Sequence, residues 1–173
     1  MYRLIVLFVF LSISQSALSD GCKRLVFNKY CLGGNVAELE KEYTPARKRV
    51  TGKKTMLAYR SGKDIVVIQG FLGKVMAVTK ISKPGSWLNY QNLKGRLAKI
   101  HGPGVDESYF PDYADSQSSK ATSINLGEGR AKHLWKKEGW KIILLWSDRD
   151  SVLLYYIDEG LDKKYRSSNP EGL

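Results

Sequence analysis

The sequence is poor in the residues that metal and nucleophilic chemistry draw on, with two cysteines and two histidines in 173 residues. Cys22 and Cys31 lack the C-x-x-C spacing of a redox pair. His101 and His133 lie far apart in the chain, so the soft ligands form no zinc pattern. A nucleophilic triad needs a histidine near a serine or cysteine with an orienting acid, and neither histidine sits in such a motif. His101 stands beside Gly102-Pro103, where an imidazole meets a helix C-terminus, and His133 falls within a strand pattern. Gly33-Gly34 and Gly127-Glu128-Gly129 lack the surroundings of a phosphate-cradling loop. No catalytic set, cofactor or metal is expected.

A membrane-spanning run is missing too. The apolar stretch Leu4 to Ile13 is too short to cross a bilayer as a permanent helix. Arg3 precedes it, and Ala17-Leu18-Ser19 places small residues for cleavage before Asp20, which reads as a signal peptide over 1–19. The chain is therefore expected to be exported, periplasmic or secreted. Lipid attachment at Cys22 fits less well, because Leu18 lies one place too far from the cysteine. In an oxidising compartment an even cysteine count favours a Cys22–Cys31 disulfide.

Acidic residues are scarce where basic ones are dense. The formal net charge is +11, and removing 1–19 takes away Arg3 alone, leaving +10. Between Tyr43 and Val105 the single acid is Asp64. Against it stand Arg47, Lys48, Arg49, Lys53, Lys54, Arg60, Lys63, Lys74, Lys80, Lys83, Lys94, Arg96 and Lys99. Such a field attracts anionic partners, and Arg47, Lys48, Arg49, Lys53 and Lys54 are the anion-binding candidates. The competing reading is a solubilising surface. Nucleic acid is disfavoured for an exported chain with no aromatic-basic signature.

Asn35 followed by Glu38 predicts a capped helix running to about Tyr43 before Pro45. A basic connection follows, then strands over 54–60, 64–69 and 74–81 separated by glycine turns. Ser86 caps a second helix with Trp87, Tyr90, Leu93, Leu97 and Ile100 on one face. It stops at His101-Gly102-Pro103. Residues 104–129 show no periodicity. Three further strands are expected over 131–137, 140–147 and 152–157, and the polar tail over 163–173 is expected to fray.

The fold class is thus α+β: two tandem helix-strand-strand-strand units, antiparallel, with helices packed on one face. One domain over 20–162 comprises repeats at about 22–81 and 84–158, with an insertion at 104–129. Sliding the chain by 77 residues without a gap lays Leu57 on Leu134, Gly62 on Gly139, Ile65 on Ile142 and Val75 on Val152. The segment Tyr30-Cys31-Leu32-Gly33-Gly34-Asn35 to Pro45, followed by three strands, resembles the unit of the small outer-membrane assembly lipoproteins. The double copy resembles the β-lactamase inhibitor protein type. The resemblance implies an exported chain that binds another protein, as an inhibitor, an immunity-like partner or an envelope assembly factor. It carries over no functional residue.

Two surfaces stand out for partner binding. Long loops inside compact domains tend to be functional, and the insertion holds Tyr109, Phe110 and Tyr113 among four acids. These rings are either anchors for a partner or pins that hold the loop to the sheet. Trp140, Ile142, Leu144 and Trp146 share one strand face while Ile143 and Leu145 occupy the other, so the sheet is apolar on both sides. A helix layer covers only one side. The second is covered by the insertion or the other half, or else it docks a partner, with Trp135, Trp140 and Trp146 contributing. The expected function is non-catalytic binding of an exported or envelope protein, with an anionic glycan or lipid as the alternative ligand.

Overall fold

The computed structural model describes residues 21–148 and 150–168. The signal peptide assigned to 1–19 lies outside the described residues. The chain begins with a hairpin of β1 (Arg24–Val26) and β2 (Tyr30–Leu32), followed by helix α1 (Val36–Glu42). Four strands come next, β3 (Arg47–Thr51), β4 (Lys54–Ser61), β5 (Asp64–Phe71) and β6 (Lys74–Ser82). Then α2 (Trp87–His101), the short strand β7 (Val105–Asp106) and α3 (Gln117–Asn125) lead to β8 (Ala131–Lys137), β9 (Trp140–Trp146) and β10 (Val152–Asp158). Helix α4 (Glu159–Ser168) follows. The fold is mixed α+β. Strands β3 to β10 form one antiparallel sheet in the order β3-β4-β5-β6-β10-β9-β8-β7, with β1 and β2 as a separate pair.

That order runs outward from β6–β10 in the same way on each side, and the two halves share their registers. A shift of 76 residues carries the pair Leu57↔Ile68 onto His133↔Leu144, and Ile68↔Val78 onto Leu144↔Leu154. The ungapped shift of 77 is therefore one residue out. It lays inward Leu57 on Leu134, whose neighbours His133 and Trp135 are the inward ones. A slip of one residue exchanges the two faces of a strand, and runs that are apolar on both faces hide the error.

Alternation along the strands separates two surfaces. Leu57, Tyr59, Val66, Ile68, Val78, Leu144, Trp146, Val152 and Leu154 form the inner face and belong to one core cluster with the hairpin, α1, α2 and α3. Asn35 caps α1 by accepting from the Ala37 amide at 2.8 Å, and Val36 and Leu39 are the residues this helix buries. Gly70 makes the close approach possible, because a Cβ there would lie 2.7 Å from Val36 Cγ2. Ser86 caps α2 by accepting from Asn89 N at 3.1 Å. Tyr90 and Leu97 are buried on it, while Ile100, expected on the same face, is 69% exposed at the last turn.

Three segments differ from the sequence reading. The basic connection is an edge strand, β3, exposed at every position. The insertion contains β7 and α3, the latter closed by a Ser116–Ser119 capping box and buried through Ser123 and Ile124. Residues 163–168, expected to fray, belong to α4, which packs against the sheet. Asp162 pairs with Lys141 at 3.2 Å, and the Tyr165 ring meets Phe71 edge-on at 5.5 Å. By alternation Lys141 belongs to the face opposite the core, so α4 lies on the other side of the sheet from α1, α2 and α3. The Cys22–Cys31 disulfide is formed, with Cα atoms 5.5 Å apart. No helix among the described residues is long and apolar enough to cross a membrane.

Candidate interaction surface

The face turned away from α1, α2 and α3 is apolar across six strands. Ala58, Ile65, Val67, Ile81, Leu153, Tyr155, Ile143, Leu145 and Leu134 occupy it from β4 to β8. Leu134 is buried, as are Ala77 and polar Thr79 on the same face of β6, and the rest are half-buried or exposed. At a strand spacing of ~4.8 Å the row is roughly 24 Å across. An antiparallel sheet that meets water on one side ordinarily carries polar residues there. An apolar area of this extent is a candidate interaction surface. Helix α4 covers only one end of it.

The insertion does not cover this face. Phe110 sits edge-on to Trp87 at 6.1 Å, and Trp87 reaches Trp146 at 6.3 Å, so this part of the loop packs on the inner side. Two of the four acids pair with neighbouring bases. Asp106 meets Lys94 at 2.7 Å and Glu107 meets Lys132 at 2.6 Å. Phe110 is thus a pin. Tyr109 and Tyr113 project, at 63% and 51% exposure, and the Tyr113 hydroxyl hydrogen-bonds Glu128. Tyr109 bridges Arg130 along the edge begun by β7. Alternation along that edge places Val105, Glu107 and Tyr109 on the open face.

The tryptophans are corrected by the same geometry. Trp146 and Trp135 are 1% and 2% exposed and belong to the core. The Trp135 indole donates to the Gly102 carbonyl at 2.8 Å. Trp140 is half-buried and stacks on Tyr156 at 6.1 Å, also on the inner side. None of the three contributes to the open face. Their alternation was visible in sequence, but which set faces the helices was not.

Of the anion-binding candidates, the structure brings together Arg47, Arg49 and Lys54. In register with Ala58, Met56 and Thr51, they line the edge of the open face, with exposed Arg60 further along β4. Lys48 points to the inner side and pairs with Glu40 at 2.6 Å. Lys53 is in the tight turn between β3 and β4. Exposed Lys136 adds a cation on β8, while Lys132 is offset by Glu107.

One histidine comes near a carboxylate. His133 Nε2 lies 2.6 Å from the Pro103 carbonyl, and its Nδ1 lies 3.7 Å from Asp106 Oδ2, beyond hydrogen-bond range. Burial alone would raise the Asp106 pKa, but hydrogen bonds from Lys94 and Ser108 hold the carboxyl well below the usual carboxylate range. Neither residue lines the cleft under α4 or the one beside the start of α2. The trio clasps the insertion to β8. Among the described residues no three His, Cys, Asp or Glu side chains gather as a metal cluster.

No family model and no curated protein matches the chain. A cysteine-rich secretory protein from Staphylococcus aureus subsp. aureus Mu50 is a structural neighbour at TM-score 0.43 and 9% identity. The match covers 82% of this chain and 47% of that one, so the chain spans about half the neighbour's length. Similarity at that level assigns no activity.

Proposed function

We propose that this chain is an exported, non-catalytic binding domain that docks an acidic protein against the open face of its sheet. The observation that carries the reading is the half-buried to exposed apolar row from β4 to β9, flanked by Arg47, Arg49 and Arg60 on one edge, with Tyr109 beyond buried Leu134 on the other. Half-buried aliphatics supply the water-excluded centre and cations the rim, which steers an acidic partner into register. Export is supported by the sequence of residues 1–19 and by the disulfide.

A photo-crosslinking residue at Leu145, compared with one at Leu88 on α2, tests this in the exported fraction of the source cells. The expected result is one acidic protein joined from Leu145 and not from Leu88, bound at least tenfold more weakly by Leu145→Asp. Equal labelling from both positions, or affinity unchanged by Leu145→Asp, defeats the reading. A second reading, an anionic envelope glycan or lipid, is favoured by the exposed cations of β3. It requires binding to anionic vesicles or polyanions that weakens steeply with salt and is lost in Arg47→Gln/Arg49→Gln. Such binding with no protein crosslink replaces the first reading.

A further inference from the structure

Where α4 crosses the end of the open face it leaves a cleft of about 300 Å³. That is the lower end of the size range of small-molecule pockets, ~300–1,000 Å³. Its apolar wall is built from Met56, Met76 and the ring of Tyr165, and its charged lining residues are Arg49 and Lys54. No acid lines it. Lys54 Nζ lies 4.4 Å from the Tyr165 ring centroid, which fixes the ammonium between α4 and the sheet edge. Among the described residues neither Arg49 nor Lys54 has a carboxylate partner. Methionine is flexible and polarisable, and it suits surfaces that accept apolar chains of varied shape. An apolar slot with two cations and no acid is complementary to a molecule with one apolar end and one anionic end.

We infer that this cleft binds a single-chain amphiphilic anion. The carboxylate or phosphate head sits at Arg49 and Lys54, and the alkyl chain lies against Met56, Met76 and Tyr165. Each methylene removed from water raises affinity about fourfold, so affinity rises with chain length until the slot is filled. The head supplies direction, because a guanidinium binds carboxylate or phosphate through two parallel N–H donors.

The sequence provides its own reporters. It contains three methionines, of which Met1 lies outside the described residues and the other two line the cleft. With 13C-methyl methionine labelling, titration of dodecanoate and of dodecyl phosphate, each below its micelle concentration, reads the site directly. The expected result is a saturable shift of both Met56 and Met76 signals with at least one anion, the comparison showing which head is taken. Dodecanol binds at least tenfold more weakly. Arg49→Gln/Lys54→Gln loses at least tenfold in anion affinity, and Met56→Glu, at an exposed position, repels the head to a similar extent. Leu145→Asp, which tests the open face, leaves this titration unchanged, so the two readings fail separately. Unmoved methyl signals, equal affinity for dodecanol, or full affinity in both charge variants overturns the inference.

Discussion

Thr79 on β6 lies directly opposite Tyr155 on β10, and the 76-residue shift that relates the two halves carries the first of these residues onto the second. The pair marks a pseudo-twofold axis perpendicular to the sheet. Such an axis keeps inward residues inward in both halves, so the core cluster and the open face are each continuous across the seam. The axis passes through the open side, at the middle of the surface proposed to bind.

Neighbouring residues on β9 therefore answer differently to the same change. Leu144→Asp buries a carboxylate in the core and is expected to cost more than about 4 kcal/mol, a large part of the total stability of a domain. Leu145→Asp places the same group on the open face and is expected to cost about 1 kcal/mol. Urea midpoints of the two variants check this. Similar losses would mean that the second face is buried as deeply as the first.

Leu72 takes a left-handed conformation, φ 53°, in the two-residue turn that joins β5 to β6, and Gly73 follows at φ 73°. Two left-handed residues suit Asn-Gly far better than Leu-Gly, and the Leu72 side chain is exposed. Leu72→Asn is expected to stabilise the chain by about 0.5–1 kcal/mol, read as a rise in Tm.

Asp158 ties three parts of the chain together. Its buried carboxylate accepts from Lys23 Nζ at 2.9 Å and from the Leu161 amide at 3.0 Å, so it caps α4 and holds the residue that leads into β1. Asp158→Ala removes a cap and the hydrogen bond from the solvent-accessible Lys23 ammonium, for a loss of about 1–2 kcal/mol. Hydrogen exchange should accelerate first in the amides of α4. Uniform acceleration over the whole sheet would contradict a local clasp.

The His101 pKa is lowered from its ordinary value, first by burial and then by the charges of Lys137 and Arg24. Lys137 donates to the His101 carbonyl at 3.0 Å, so it supplies the cation at the end of α2 that the sequence assigned to the imidazole. The unfolded chain takes a proton at His101 before the folded chain does. Stability is therefore flat above the unfolded value of about 6.5 and falls as pH drops through it. His101→Gln should lessen the fall in Tm between about pH 7.5 and 5.

The sequence made β4, β5, β6, β8, β9 and β10 legible because apolar runs ended at glycine turns, and α1 and α2 because Asn35 and Ser86 cap them. It hid β3, since Arg47-Lys48-Arg49 carries no apolar alternation and its strand state comes from pairing with β4. It hid α3 and α4 as well, where serines and charges leave little apolar stripe and a few anchors, Ile124 and Tyr165, do the packing. The candidate surface was half legible. Alternation showed two apolar faces, but the choice between them depends on where Phe110 and Trp87 direct the insertion, a tertiary matter that no local pattern encodes.

The sheet ends on one side in a strand whose five residues include three cations, and on the other in a strand two residues long. A like-charged border repels its own copy, and β7 with its irregular continuation to Tyr109 offers a short, uneven border for another chain to extend. Growth into fibres by lateral addition is closed off at both margins. A molecule can thus display greasy surface and remain dispersed, leaving broadside encounter as the way for it to associate.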